Sequence, residues 1–254
     1  AERLAAALED AGCAHRVAKV ASTPRRKNAA PPFITSTLQQ AAGSSMKMGA
    51  TQTMRIAQDL YEGIELGSGG PVGLITYMRT DSVNIAKEAQ EQARAFIAKT
   101  FGSEYLPEKP NSYSSRKSAQ EAHEAIRPTD VTRTPESLAQ HLTPPQQKIY
   151  RLIWNRFVAS QMAPAKQMDH VIEIESAGGQ LRNLTLAGLI SKDSKLDVTK
   201  AAPGVACTFR AAARETLFPG YLRVYNIKDI GEEEDPADSA PPLPTLREGM
   251  PCLL

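Results

Sequence analysis

Hydrophobic positions along this chain change period twice, and each change marks a boundary between kinds of element. Leu4, Ala7, Leu8 and Ala11 recur at helical spacing and stop at Gly12, which predicts a short helix. From His15 to Ser22 the period drops to two, with Val17, Lys19 and Ala21 opposite Arg16, Ala18, Val20 and Ser22, so a strand is expected. Helical spacing then returns. Met54, Ala57, Leu60 and Tyr61 share one face of Thr51–Tyr61, and Ala86, Ala89, Ala93, Phe96 and Ile97 share another that ends at Gly102. Thr134-Pro135 and Thr143-Pro144 each offer an N-cap followed by proline at the first helical position. Gln146 gives Thr143 a capping-box partner, and the helix that follows carries Ile149, Leu152, Ile153 and Phe157, widened by Trp154 and Val158.

Past Pro164 the strand pattern resumes. His170–Glu175 alternates, Gly178-Gly179 signals a turn, and Leu181–Ile190, Val205–Arg210 and Tyr221–Ile227 read as further strands. The expected fold class is α+β. A helical domain, residues 32–164, is inserted into a β-rich domain made of residues 1–31 and 165–254. The pattern begins inside a helix and stops at what reads as the start of another strand, so the chain is expected to be a fragment.

Composition adds limits rather than identity. A chain of 254 residues with 41% hydrophobic and 23% charged residues can bury a core as one large or two smaller domains. No apolar run reaches the length of a membrane span and no signal-peptide pattern opens the chain. Cys13, Cys207 and Cys252 are odd in number, far apart and without a CxxC pair. That points to a reducing compartment and away from a disulfide framework or a zinc site. The formal charge of +2 is nearly neutral, so affinity for a polyanion must come from local patches. Arg25-Arg26-Lys27 is one such patch, readable as a cationic strip or as a solvated linker. Glu232-Glu233-Glu234-Asp235-Pro236 reads as a mobile acidic loop, because consecutive carboxylates do not readily converge on one ion.

The chemistry-bearing stretch is Gly73-Leu74-Ile75-Thr76-Tyr77-Met78-Arg79-Thr80-Asp81-Ser82. If it is extended, Tyr77, Arg79 and Asp81 share one face. A phenol beside a guanidinium suits a nucleophile whose target is a phosphate, since arginine contacts phosphate oxygens with two prongs and its charge favours the phenolate. The alternative is a half-buried strand in which Tyr77 and Arg79 stack for stability. Asp81-Ser82 before a helix is also an ordinary capping arrangement. Gly67 to Gly73 fails the dinucleotide fingerprint, because Val72 occupies the final glycine position, and a flexible connection is expected there. His123 is expected on a helix starting after Ser118, with Glu124 and Arg127 close enough along it to pair.

Four segments in order carry a family resemblance: Pro31-Pro32-Phe33-Ile34-Thr35-Ser36-Thr37-Leu38-Gln39-Gln40-Ala41-Ala42, Leu60-Tyr61-Glu62-Gly63, Leu74 to Ser82, and Gln120-Glu121-Ala122-His123-Glu124-Ala125-Ile126-Arg127-Pro128. Together they resemble the central region of bacterial type IA DNA topoisomerases, and the likeness resumes at Phe218-Pro219-Gly220-Tyr221-Leu222. Met78, where the topoisomerase III branch usually has proline, favours the topoisomerase I branch over that branch, and reverse gyrase is a further alternative. The resemblance implies that Tyr77 attacks one DNA strand and becomes linked to its 5′-phosphate, without ATP. It implies that Arg79 contacts the scissile phosphate, that Asp81 supports the site, and that His123 binds the DNA backbone there. Arg127 is a further DNA-binding candidate, although packing beside Pro128 explains it equally well. The family's helical domain sits on a β-rich arch that bends to open the enzyme. Its Mg²⁺ is bound by an upstream acidic domain with no counterpart in this sequence, so no metal ligand is assigned and little activity is expected of the chain alone. The implied partner is single-stranded or underwound DNA, with no membrane, for a monomeric bacterial protein of the cytoplasm and nucleoid. A non-catalytic DNA-binding module, in which Tyr77 is structural, is the reading of a different class.

Overall fold

A computed structural model of the chain describes residues 2–67, 69–113, 123–179, 181, 206–224 and 235–252. The chain folds as two compact units: Ala1–Arg25, Met168–Glu215 and Asp235–Leu254 in one, Arg26–Gln167 and Thr216–Glu234 in the other. Helices and strands are both present, and the α+β class holds.

The first unit contains α1 (Glu2–Leu8) and most of a three-stranded sheet in the order β1-β4-β5. These strands are β1 (Cys13–Lys27), β4 (Ala165–Gly178) and β5 (Cys207–Phe218). β1 runs beyond the alternating stretch that announced it, and Val17 is its buried anchor. Its free edge is partly taken by residues 249–252: Val17 N–H donates to Met250 O at 2.9 Å and Cys252 N–H to His15 O at 2.9 Å. Arg214 on β5, only 5% exposed at its side chain, donates to Asp169, Asp235 and Asp238. Arg25 stands 3.6 Å from Asp169 and 3.9 Å from Asp235. Asp235 therefore leaves the mobile acidic loop expected of it. It caps a helical turn, Pro236–Ser239, accepting from Ala237 N–H at 3.0 Å. Glu232 to Glu234, and the strand expected over Leu181–Ile190, lie outside the described residues apart from Leu181, which is buried against Ala7.

The second unit holds the main core. α2 (Thr35–Met46), α3 (Ala50–Glu62), α4 (Lys87–Thr100) and α5 (Pro144–Ser160) surround a cluster that includes Phe33, Leu60, Ile75, Met78, Ile126 and Phe157. All six apolar positions expected of α5 are buried, and Thr143 N–H donates to Gln146 Oε1 at 3.0 Å. Phe96 of α4 meets Trp154 of α5 in a T-shaped contact at 5.6 Å. The short hairpin β2 (Ile64–Glu65) and β3 (Pro71–Val72), antiparallel with Ile64 opposite Val72, replaces the flexible connection expected before Gly73.

Three elements differ from their sequence pattern. Thr134-Pro135 starts tight turns rather than a helix, with Thr134 Oγ1 accepting from Ser137 N–H at 3.2 Å. Tyr221 begins no strand: Gly220–Arg223 is a 3₁₀ turn, its glycine at φ +51° against the Ala163 and Pro164 carbonyls, and Tyr221 N–H donates to Ala163 O at 2.9 Å. Residues 225–227 lie outside the described residues. His123–Ala125 is not helical, because its backbone is drawn into long-range pairing described below.

Candidate active site

The stretch from Leu74 to Ser82 belongs to no named strand, carries one bridge at Ile75 and a bend at Met78, and its burial alternates from Tyr77 onward. Met78, Thr80 and Ser82 are buried, whereas Tyr77, Arg79 and Asp81 are exposed. A period of two thus puts the phenol, the guanidinium and the carboxylate on the outward side, with Met78 anchoring the row in the core.

Two threonines brace this segment. Thr35, the first residue of α2, accepts from Thr80 N–H through Oγ1 at 2.9 Å, and the same oxygen lies 2.8 Å from Met78 O and 3.0 Å from Thr80 O. Its own N–H donates to Thr80 O at 3.0 Å. Thr76 does the same toward the other side: its hydroxyl donates to Ala125 O at 2.7 Å and accepts from Arg127 N–H at 3.0 Å, while its N–H donates to Arg127 O at 2.9 Å. With Thr129 N–H on Leu74 O at 3.0 Å, residues 74–76 and 127–129 pair antiparallel around Ile75 and Pro128.

The segment from His123 to Thr129 is stitched further. Ala125 N–H donates to Asn84 O and Ile126 N–H to Phe33 O, both at 2.8 Å. Glu124 accepts from Ala86 N–H at 2.6 Å, just before α4, and from Arg127 Nη2 at 2.8 Å. Arg127 also donates to Pro128 O, and its side chain is 12% exposed. These bonds fix where His123 stands.

Arg79, Asp81 and His123 line one groove of about 540 Å³ together with Gln39, the first two residues of α2, Thr35 and Ser36, and Ile34 just before them. An arginine, a histidine and a helix N-terminus around one opening make a cradle for an anionic oxygen. Tyr77 stands two positions before Arg79 and, like it, is exposed, at 47%, its ring in a T-shaped contact with Tyr61 at 5.3 Å and 64°. Of the candidate residues, Arg79, Asp81 and His123 share the groove, Tyr77 heads the row beside it, and Arg127 lies apart, engaged by Glu124. Sequence pattern assigns no role to Thr35 or Tyr61, although both sit inside the family motifs.

The DNA topoisomerase family profile matches residues 1–253. The chain belongs to the bacterial DNA topoisomerase family. It is similar to the DNA topoisomerase 1 of Xylella fastidiosa, with 40% identity over 234 residues, covering 92% of this chain and 25% of that protein. The DNA topoisomerase 1 of Campylobacter jejuni is 42% identical over 216 residues, covering 85% and 27%. Full-length topoisomerase I from Thermotoga maritima superposes with a TM-score of 0.69 at 31% identity over 99% of this chain and 34% of that one. The chain thus spans roughly a quarter to a third of these bacterial topoisomerases. The type IA resemblance read from the four motifs is shown by these matches.

The groove does not suit Mg²⁺. Its one carboxylate, Asp81, is accompanied by Arg79 and His123, whereas a hard dication takes several oxygen ligands. Among the described residues no group of three His, Cys, Asp or Glu side chains is placed to hold a metal ion. No described helix is long and apolar enough to cross a membrane.

Proposed function

We propose that in the parent protein Tyr77 is the nucleophile of a type IA topoisomerase reaction on single-stranded or underwound DNA. The phenol oxygen attacks a backbone phosphorus, the bond from phosphorus to the 3′ oxygen breaks, and that oxygen leaves as a hydroxyl after taking up a proton. A 5′-phosphotyrosine ester remains. Once the other strand has passed, the 3′-hydroxyl attacks the ester, the phosphodiester re-forms and Tyr77 regains its proton. The ester conserves the energy of the broken bond, so ATP is not required.

Arg79 supplies the fixed charge for the phosphoryl oxygens, and two-pronged contact makes it more than a counter-ion. His123 and the N-terminus of α2 hold the neighbouring backbone, and Asp81 orients the groove from the opposite charge. The helical unit of residues 26–167 and 216–234 carries this row, and the remaining residues belong to a β-rich arch of the parent protein. The observation that carries the reading is the outward row Tyr77, Arg79, Asp81, whose last two members share a groove with His123. The relatives' name, DNA topoisomerase 1, supports the topoisomerase I branch.

The test uses the intact parent protein, supplied with magnesium and negatively supercoiled DNA. Tyr77→Phe removes one hydroxyl from an exposed ring, so the protein folds, yet relaxation and the denaturation-resistant DNA adduct disappear. Relaxation at the parent rate by that variant defeats the proposal. The present chain alone, offered single-stranded DNA, forms little adduct.

A further inference from the structure

Tyr61 is not where its helix phase puts it. The pattern of α3 groups it with Ala57 and Leu60, both fully buried, but Tyr61 is 40% exposed. Its ring instead faces Tyr77, with centroids 5.3 Å apart and planes at 64°. Neither ring is hidden in the core, so the contact is not a by-product of general burial. Edge-to-face pairs at this separation are attractive beyond the area they cover.

The backbone fixes the same juxtaposition independently. Leu74 N–H donates to Leu60 O at 2.7 Å, which locks the last turn of α3 to the start of the reactive segment. Gly73 lies so close to Tyr61 that an added Cβ would stand 2.7 Å from the Tyr61 carbonyl oxygen. The peptide carrying Tyr61 and the chain leading to Tyr77 are therefore in contact at two places, one backbone and one ring.

We propose that Tyr61 is a positioning residue for Tyr77. This rests on the reading of Tyr77 as the nucleophile. A tyrosine on an exposed segment samples three staggered χ1 wells. A second ring at 5.3 Å blocks those that would sweep through it, so the phenol oxygen is held in one direction before DNA arrives. Preselecting the attack direction speeds the covalent step in both directions without altering how tightly the strand binds.

The experiment uses the full-length parent protein with a ring-fluorinated tyrosine placed at position 77. Fluorine resonance reports the neighbouring ring directly, because an aromatic neighbour shifts it and restrains its motion. Tyr61→Leu is expected to move and sharpen that resonance, and Tyr61→Phe to leave it nearly in place. In the unlabelled protein, single-turnover cleavage and resealing of an oligonucleotide are expected to fall roughly five- to tenfold in Tyr61→Leu. Tyr61→Phe is expected to restore both rates, and the dissociation constant for single-stranded DNA to stay within twofold throughout. An unmoved resonance in Tyr61→Leu overturns the proposal, as does full cleavage by it. Failure of Tyr61→Phe to rescue shows that the hydroxyl acts, and weakened DNA binding shows a direct DNA contact; each also overturns it. If Tyr77→Phe still relaxes DNA, the nucleophile reading falls, and the fluorine shift then shows separately whether the ring contact exists.

Discussion

Replacing Thr35 with valine keeps the shape of the side chain and removes the oxygen that braces Met78 and Thr80. Two bonds are lost: the one the hydroxyl donates, within 2.8 Å of Met78 O, and the one it accepts from Thr80 N–H at 2.9 Å. Thr80 O keeps the Thr35 N–H at 3.0 Å, so only one acceptor goes unmet. Each lost bond is worth about 1 kcal/mol net, and leaving the N–H of buried Thr80 without an acceptor adds more, for a total of about 2–3 kcal/mol. Valine is nearly isosteric, so no cavity contributes. In a chain of this size that corresponds to a fall of roughly 4–12 °C in the melting temperature of the unit. The assay is built in. Trp154 is the single tryptophan, it is buried in α5, and it belongs to the same compact unit as Thr35. Urea titration followed by its fluorescence reports that unit without interference. Thr35→Ser, which keeps the hydroxyl, is expected to lose less than half as much. A Thr35→Val midpoint equal to the parent's refutes the bracing argument, and so does a serine variant as unstable as the valine one.

Gly73→Ala places a methyl 2.7 Å from the Tyr61 carbonyl, which is backbone and does not swing aside; a loss of about 1–3 kcal/mol in the same titration is expected. Arg79→Lys keeps the charge but not the fork, so in the intact protein cleavage falls more than in Arg26→Ala, which mainly changes the salt dependence of binding. Hydrogen bonding from Arg214 holds the Asp169 carboxyl below the usual range, with Arg25 adding to the effect. That contribution to stability is complete above the unfolded carboxyl pKa near 4 and is lost as pH falls through the lower folded value. Arg214→Met therefore melts lower at pH 7 by circular dichroism, and its further loss between pH 4 and pH 2 is smaller than the parent's. Equal acid sensitivity of the two contradicts the pairing.

Local pattern was enough for some of this architecture. α5 was legible because a cap, a proline and six apolar positions agree, and tertiary packing then buried all six. The row Tyr77, Arg79, Asp81 was legible because alternation is a local property. α2 was not, since its buried face is Leu38, Ala41 and Ala42 among threonines, serines and glutamines, a weak apolar stripe. The β2–β3 hairpin has two residues a side, too few to show a period. His123–Ala125 has good helix formers around it, yet Asn84 O, Phe33 O and Thr76 claim the backbone from Ala125 to Arg127, and long-range pairing overrides propensity. The braces at Thr35 and Thr76 were invisible for the same reason: a hydroxyl carries no sign of which distant carbonyl it will meet.

Because Thr35, Thr76 and Met78 hold the reactive segment from its inner side, the outward residues are free to vary without loosening it. On the proposed reading, the positions that serve the reaction and those that hold the fold alternate along one short stretch. On that reading a change at position 77, 79 or 81 abolishes chemistry in a protein that still accumulates to normal levels, whereas a change at Thr35 harms both at once. The stretch is accordingly a natural bench for exchange. Cysteine or serine at 77, which give up the Tyr61 ring contact, and lysine or histidine at 79 leave the threonine braces in place, so differences among such variants report chemistry and that one contact rather than general misfolding.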